Sequence, residues 1–341
     1  MNHYKLAVII GRHQIPHAGH ELLKRKALEI ADQVVVILGS SFQARSPKNP
    51  FNWQERKEMI LSTLTEDEKQ RVECCPIRDY YNDQKWNAEV KRIVSEYSSD
   101  DVVLVGHKKV GDKDTYYLDS FDGWAYVGIE STYKINASQM RALYFEAENI
   151  DTSLSSVNDL ILPPVKQFLK AWSSRPEYTE LVKEHAKIKQ EKALWKGSPY
   201  DVIFSTADAV VKMDSHVLLG KRKYHPGRGL WAIPGGFVEQ HESVLHTALR
   251  ELKEETEISL THKRLLNDFK SVKVFDHPNR SCRGRFITHA HFFDLTVEVF
   301  PDIKAADDLQ EVVWVAIDKL NSMEEQLFED HFHILKQFLA V

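Results

Sequence analysis

The sequence predicts an α/β protein of two domains, with a parallel sheet in the first and a mixed sheet in the second. Its 341 residues exceed the size of an ordinary single domain. Near the start, residues 6–10 and 34–38 are apolar throughout, as strands buried on both faces are, and a helical segment separates them. Beyond residue 200, the alternation in residues 201–213 predicts a half-buried strand, which further strands and helices follow.

The balance of charged and apolar residues indicates a soluble globular protein. The net charge of -5 does not suit a general nucleic-acid partner, so basic residues are expected to act locally on phosphates. Cys74 and Cys75 are adjacent and Cys282 is distant, so neither a zinc site nor a disulfide framework is indicated. No apolar run is long enough to cross a membrane, and no signal-peptide pattern is present. We expect a cytoplasmic protein with no membrane partner, and a homo-oligomer remains possible.

The domain boundary is expected in a helical connector. Pro163-Pro164 opens a helix that continues to Trp172. Residues 177–195 are densely charged, which predicts a long exposed helix, and Gly197-Ser198-Pro199 then breaks it. The predicted domains are therefore residues 1–175 and 201–341, with residues 176–200 as the connector.

The most informative stretch is residues 230–258. A short strand ends in Pro234-Gly235-Gly236, and a helix is predicted over residues 243–256 from its apolar spacing. Glu251, Glu254 and Glu255 then lie on neighbouring points of one helix surface, where like charges repel unless a cation lies between them. Oxygen ligands suit Mg²⁺ or Mn²⁺. An acidic stripe of this kind is otherwise a solvated helix face.

The surrounding pattern resembles a Nudix box, G-x5-E-x7-R-E-U-x-E-E-x-G-U with U aliphatic. The matching positions are Gly236, Glu242, Arg250, Glu251, Leu252, Glu254, Glu255 and Ile258. Glu257 stands where the family usually has glycine, which puts the last turn of the helix in doubt.

The Nudix resemblance implies a mixed-sheet α/β/α sandwich that hydrolyses a nucleoside diphosphate linked to another group. It assigns the metal to Glu251, Glu254 and Glu255, and a supporting role to Gly236 and Glu242. Arg250 is expected to orient Glu251 through a charge-assisted pair. The general base stays open between Glu255 and an acid near Asp307-Asp308.

The loop after the first strand is rich in histidine. It begins with Gly11 and Arg12 and contains His17-x-Gly19-His20 just before a helix. Gly19 lets the backbone approach a ligand, and the helix start offers free N–H groups to an anion. The pattern resembles the signature of the HxGH nucleotidyltransferase superfamily, whose domain is Rossmann-like. His17 and His20 would then offset charge on the transferred phosphate.

A second segment supports this assignment. Residues 135–141 precede a helix and resemble the I-S-x-T-x-x-R motif of the same superfamily, with Asn136 and Ser138 in place of Ser and Thr. The Ser138 hydroxyl, the helix start and Arg141 would together bind phosphate. Ser138 could otherwise be only a helix cap.

Other segments look like those of archaeal-type nicotinamide mononucleotide (NMN) adenylyltransferases. They are Asn49-Pro50-Phe51 and residues 76–80 before a helix that carries Trp86. The resemblance implies that Trp86 stacks on the nicotinamide ring, with Asp79 near the same pocket. Trp86 could also be a core aromatic residue. Arg45 and the loop Gly106-His107-Lys108-Lys109 add positive charge that could serve a triphosphate.

The substrate of the second domain is suggested by a basic segment. Residues 275–280 and Arg283-Gly284-Arg285 resemble the region after the box in ADP-ribose pyrophosphatases. Arg283 would suit a phosphate. A solvated basic turn is the alternative.

The sequence thus predicts a bifunctional enzyme. One domain would join ATP and NMN to give NAD and pyrophosphate, and the other would hydrolyse ADP-ribose. One alternative is a Nudix domain that senses ADP-ribose or NAD without cleaving it. Another is a transferase with a different phosphorylated acceptor.

Overall fold

The computed structural model describes residues 2–108, 120–130, 137–296 and 298–339. The chain forms two compact units, Met1–Val182 and Lys183–Val341. The division falls inside the helix Pro176–Leu194, which makes up most of the segment predicted as a helical connector. In the described part of the chain, no helix is long and apolar enough to span a membrane.

The first unit is built on a parallel sheet. Its described strands are β1 (Tyr4–Gly11), β2 (Ala31–Leu38), β3 (Val72–Pro76), β4 (Val102–Lys108) and β5 (Ala125–Glu130). They lie in the order β3-β2-β1-β4-β5, and every neighbouring pair is parallel. The order reverses between β1 and β4, and in such sheets ligands bind beyond the carboxyl ends of the strands at that point. The Rossmann-like prediction is confirmed.

Helices cover both faces of this sheet. Those of the first unit are α1 (Ala18–Ile30), α2 (Trp53–Leu61), α3 (Glu66–Lys69), α4 (Asp83–Ser95), α5 (Ala137–Phe145), α6 (Ile150–Ser155) and α7 (Pro163–Trp172), and α8 (Pro176–Leu194) crosses the division. Within β1, Ala7 belongs to the core that α1 covers, whereas Val8 belongs to the core that α4 covers. Alternate residues of one apolar run therefore face opposite layers, as a doubly covered sheet requires.

Helix α8 is not exposed all round, which corrects the prediction from its charge density. Leu181, Glu184 and Ile188 are buried. Leu181 and Ile188 are seven residues apart and so lie on one face, and the many charges on the other faces hide this narrow apolar stripe in the sequence.

The second unit contains a mixed sheet. Its described strands are β6 (Ile203–Met213), β7 (His216–Arg222), β8 (Trp231–Ala232), β9 (Gly235–Phe237), β10 (Phe269–Phe275), β11 (Arg285–Leu295) and β12 (Leu309–Ala316). The main order is β10-β11-β6-β7-β12, with β8 on β7 and β9 on β6. Only the β11–β6 pairing among these is parallel. This confirms the mixed sheet.

Two helices sandwich this sheet. The helices of the unit are α9 (Val244–Thr256), α10 (His262–Asn267) and α11 (His331–Phe338), with 3-10 turns at Ile317–Ser322 and Glu324–Gln326. Ala209 of β6 shares a core with Leu249 of α9, and the next residue, Val210, shares a core with Leu335 of α11.

The last turn of α9 keeps the shape that glycine would favour, although Glu257 occupies it. Glu257 is left-handed, with φ 42° and ψ 29°, and its N–H bonds to the Lys253 carbonyl. The side chain pairs with Lys304 at 2.9 Å on the surface. A residue with a Cβ is strained in this conformation by roughly 1–2 kcal/mol.

Glu257→Gly should therefore raise the free energy of unfolding by roughly 0.5–1 kcal/mol, because it removes the strain at the cost of a weak surface ion pair. Urea unfolding followed by circular dichroism measures it. Glu257→Ala is the control, since it loses the ion pair but keeps the Cβ, and it should give no gain. A Gly variant less stable than the Ala variant would contradict this explanation.

Candidate active sites

The start of α1 is capped by the two predicted histidines. His17 is the N-cap residue, and its Nδ1 accepts the Gly19 N–H at 3.2 Å. The Nδ1 atom of His20 accepts the His17 N–H at 3.3 Å. A neutral imidazole whose Nδ1 accepts a hydrogen bond carries its proton on Nε2. The cap therefore leaves an Nε2–H donor on each ring.

Three imidazoles are packed together here. The His20 ring lies 4.0 Å from that of His17 and 4.1 Å from that of His13. Burial lowers the pKa of His17 to about 4 and that of His13 to about 3, and it also places the pKa of His20 well below the ordinary value. These rings are neutral near pH 7, so they act as hydrogen-bond donors rather than as fixed charges.

A buried arginine joins the loops that follow β1 and β2. The Nη1 atom of Arg56 donates to the carbonyls of Arg12 and Gly39 at 2.5 and 2.7 Å, and Nη2 donates to Ser41 Oγ at 2.9 Å. Burial, with a contribution from Arg12, lowers the pKa of Arg56 to about 10. The sequence interpretation gave Arg56 no role, because its partners are backbone carbonyls that leave no local pattern.

The second predicted motif meets the first at this edge of the sheet. Arg141 is buried, and its Nη2 donates to Ser138 Oγ at 3.1 Å while Nη1 donates to the Gln14 carbonyl at 3.4 Å. Burial and then the charge of Arg12 lower the pKa of Arg141 to about 10. Arg12, Arg56 and Arg141 thus concentrate positive charge, which an anion would stabilise. Asn136 and Lys109 lie outside the described residues.

Asp79 and Trp86 lie on neighbouring segments. Asp79 accepts from the N–H and Oγ of Ser40 at 3.2 and 2.7 Å and from Gln43 Nε2 at 3.0 Å, so it holds the loop after β2. Trp86 is half-buried on α4 and packs against the core, with its ring 6.5 Å from that of Phe121. Part of its surface remains accessible.

Two other predicted contributors have different surroundings. Gly106 lies within β4, two residues before the strand ends at the carboxyl edge of the sheet. Arg45 is not available to a triphosphate in this structure, because both of its terminal nitrogens bond to the Glu55 carboxylate at 2.6 and 3.0 Å.

In the second unit, Arg250 gathers the carboxylates of the box. Its Nη1 donates to Glu251 and Glu254, each at 2.9 Å, and its Nη2 donates to Glu242 at 2.7 Å and to the Phe237 carbonyl at 3.2 Å. The hydrogen bonds from Arg250 lower the pKa of Glu242 to about 2. The predicted pairing of Arg250 with Glu251 is present, and it extends to two further acids.

Glu255 is the buried acid of the group. It accepts the Gly235 N–H at 3.0 Å. Burial, reinforced by the charge of Glu251, raises the pKa of Glu255 to about 8. A Cβ on Gly236 would lie 2.3 Å from a Glu251 carboxylate oxygen, so only glycine leaves room for that carboxylate.

Carboxylates are the type of ligand that a hard divalent cation prefers, but the oxygens of these acids do not converge on one point in this structure. Among the described residues, no three His, Cys, Asp or Glu side chains are arranged to hold a metal ion. Arg250 binds both Glu251 and Glu254 in this structure. The charges of Asp307 and Asp308 act on Glu251 and Glu255 respectively, since Ala306 anchors their loop to the Glu255 carbonyl at 3.0 Å. An all-oxygen set of this density suits Mg²⁺ or Mn²⁺.

The basic segment before β11 is not a solvated turn. Arg280 forms a buried pair with Asp330 at 2.7 and 2.9 Å. Arg283 bonds to Glu329 at 3.2 Å through two nitrogens, and its guanidinium lies 4.2 Å from the Phe286 ring. To bind a substrate phosphate, Arg283 would have to exchange Glu329 for it.

Comparison with known proteins agrees with both halves of this picture. Residues 8–156 match the cytidylyltransferase-like family model, and residues 204–338 match the NUDIX domain model. The nicotinamide/nicotinic acid mononucleotide adenylyltransferase of Acinetobacter baylyi is 34% identical over 54% of this chain and 95% of that protein. The ADP-ribose pyrophosphatase of Methanocaldococcus jannaschii is 35% identical over 39% of this chain and 70% of that protein. The chain therefore joins a nucleotidyltransferase unit to a Nudix unit.

A solved structure covers the whole chain. It is a bifunctional NMN adenylyltransferase/ADP-ribose pyrophosphatase from Francisella tularensis, complexed with AMP and a manganese ion. It is 32% identical to this chain, covers 99% of both chains and has a TM-score of 0.89. This protein belongs to the family of bifunctional NMN adenylyltransferase/ADP-ribose pyrophosphatases.

The protonation state of the imidazole cluster can be measured directly. The side-chain nitrogen resonances of His13 and His17, assigned with His13→Gln and His17→Gln, should show the neutral form down to about pH 5, with the proton of His17 on Nε2. Burial is the cause, and free histidine in the same buffer is the reference. A midpoint near the ordinary value of about 6.5 for either ring would contradict the structure.

Proposed function

We propose that this chain is a bifunctional enzyme of NAD metabolism. It transfers an adenylyl group from ATP to NMN, giving NAD and pyrophosphate, and it hydrolyses ADP-ribose to AMP and ribose 5-phosphate with a divalent metal. The observation that supports this most is the presence of two clusters suited to a phosphate anhydride. One contains neutral Nε2–H donors and guanidinium groups, and the other contains buried and half-buried carboxylates.

In the transfer reaction, an oxygen of the NMN 5′-phosphate attacks the α-phosphorus of ATP. The new P–O bond forms as the bond to the β-phosphate oxygen breaks, and pyrophosphate leaves. The attacking phosphate is already an anion, so no general base is needed. His17 and His20 would donate Nε2–H hydrogen bonds to the transferred phosphoryl group, and Arg141 would offset its growing charge.

The acceptor pocket is proposed beside α4. The accessible part of Trp86 would stack on the nicotinamide ring, and Asp79 would fix the loop that borders it. A cationic pyridinium ring gains from an aromatic face, whereas an uncharged vitamin phosphate gains less. This favours NMN over other phosphorylated acceptors.

In the hydrolytic reaction, water attacks one phosphorus of ADP-ribose and the anhydride bond breaks. Glu251, Glu254 and Glu255 would hold the cation, which supplies Lewis-acid activation of the water when bound. Mg²⁺ or Mn²⁺ is proposed, and the manganese in the Francisella tularensis relative supports a divalent ion. When Glu251 and Glu254 bind the cation, Arg250 would remain hydrogen-bonded to Glu242. The proton from water would go to Glu255 or to an acid of the Asp307-Asp308 loop.

A sensor that binds ADP-ribose without cleaving it is the competing function for the second unit. The dense acid set speaks against it. A buried acid such as Glu255 costs stability unless it is protonated or paired with a cation, and binding alone does not require it.

The paired substitution Glu254→Gln/Glu255→Gln separates these possibilities. ADP-ribose hydrolysis should fall at least roughly 100-fold because two cation ligands lose their charge, while NAD formation in the same preparation stays unchanged. Chromatography of AMP and NAD measures both. The control is Glu298→Gln, which removes an exposed acid remote in sequence from the box. Unchanged hydrolysis in the double variant, or its absence in the wild type, would contradict the hydrolase assignment.

A further inference from the structure

The crevice between β1 and β4 receives side chains from both strands' carboxyl ends. The loop after β1 supplies His17 and His20. Strand β4, which pairs in parallel with β1, supplies His107 one residue before its end. His107 belongs to neither nucleotidyltransferase motif, yet it lies where the strand order reverses, which is where open parallel sheets bind ligands.

The His107 ring approaches the start of α1 closely. Its Nε2 lies 3.4 Å from the position that a Cβ on Gly19 would take. The His17 ring also borders this position, with its Cε1 and Nδ1 atoms 3.1 and 3.2 Å from it. Gly19 has no positive φ, so the backbone does not demand glycine, but an added Cβ would press on both rings.

Electrostatic effects agree with the short distances. After burial, His107 is the next cause that lowers the pKa of His17, and it contributes to lowering that of His20. The His107 ring therefore lies close enough to His17 and His20 for its charge to act on them.

Polar atoms in the cluster lack partners. The Nδ1 atom of His107 and both ring nitrogens of His13 are buried without a hydrogen bond within the described ranges. His13 is only 4% exposed, and it lines a small cavity together with His17 and His20. Buried polar atoms are nearly always satisfied, so such a concentration indicates that the cluster takes a further hydrogen-bonding ligand.

We propose that His107 is a phosphate ligand of the adenylyl-transfer site. His107 donates an Nε2–H hydrogen bond to a phosphate oxygen of the nucleotide that binds beside the start of α1, next to the oxygens that His17 and His20 contact in the transfer reaction. The first turn of α1 adds backbone N–H groups that can donate to the same phosphate. The proposal rests on the transfer reaction proposed above and adds a third imidazole to its phosphate-binding set. His107 forms no covalent bond and gains no proton in this role.

Three substitutions test this on the full chain. His107→Ala should lower kcat for NAD formation roughly 100-fold, as the loss of one donor to a transition-state oxygen does. His107→Gln should recover part of the loss, because its amide nitrogen reaches about as far as Nε2. Gly19→Ala, whose methyl group would lie 3.1–3.4 Å from the His17 and His107 rings and push them from their positions, should lower activity with both histidines still present.

The matched control is His3→Gln. His3 is an exposed histidine that bonds to Asp32 at 2.7 Å, and its replacement should leave NAD formation unchanged. ADP-ribose hydrolysis in the same samples reports on the amount of intact protein.

A binding readout separates a ligand from a packing residue. Inorganic pyrophosphate should raise the melting temperature of the wild type and of His3→Gln, and this shift should be lost in His107→Ala, whose melting temperature without ligand stays near that of the wild type. The proposal fails if His107→Ala keeps the wild-type kcat and pyrophosphate shift. It also fails if the melting temperature of His107→Ala without ligand falls enough to explain the loss of kcat, and His107→Gln restores neither. If the wild type made no NAD from NMN, the pyrophosphate shift would still decide whether His107 binds phosphate.

Discussion

In each unit, one arginine ties together segments that border the candidate site. Arg56 binds the carbonyls of Arg12 and Gly39, which follow adjacent parallel strands, so it fixes the two loops that border the nucleotide crevice. Arg250 binds three carboxylates and one carbonyl around α9. The two arginines differ in the chemistry of their partners. Backbone carbonyls fix the buried guanidinium of Arg56, whereas carboxylates such as those that Arg250 binds are also of the kind that suits a divalent metal.

The imidazole cluster shows how a structural bond can set a chemical role. His17 and His20 cap α1 through Nδ1, and the same bonds leave the proton on the Nε2 side. Burial keeps both rings neutral near pH 7. The rings therefore supply hydrogen-bond donors, while the positive charge of this edge of the sheet comes from Arg12, Arg56 and Arg141.

Much of the fold follows from local patterns, and much of the site does not. Uninterrupted apolar runs predicted the parallel strands, and the spacing of Leu249 and Leu252 predicted α9 and its buried face. Strand β3 was missed because its five residues contain Glu73 and a closing proline. The pairing of Arg283 with Glu329 joins residues 46 apart, and the approach of His107 to Gly19 depends on strand order. No local pattern contains such partners, so the sequence could offer Arg283 only as a free phosphate ligand.

The central claim is that one chain acts on two different phosphate anhydrides. Phosphorus NMR of a single purified sample tests it most directly. The sample first receives ATP, Mg²⁺ and NMN, and parallel samples receive other phosphorylated vitamins in place of NMN. ADP-ribose is then added. The account predicts pyrophosphate and NAD signals with NMN, followed by AMP and ribose 5-phosphate signals after the second addition. Pyrophosphate release with another acceptor but not with NMN, or ADP-ribose that persists unchanged, would contradict it.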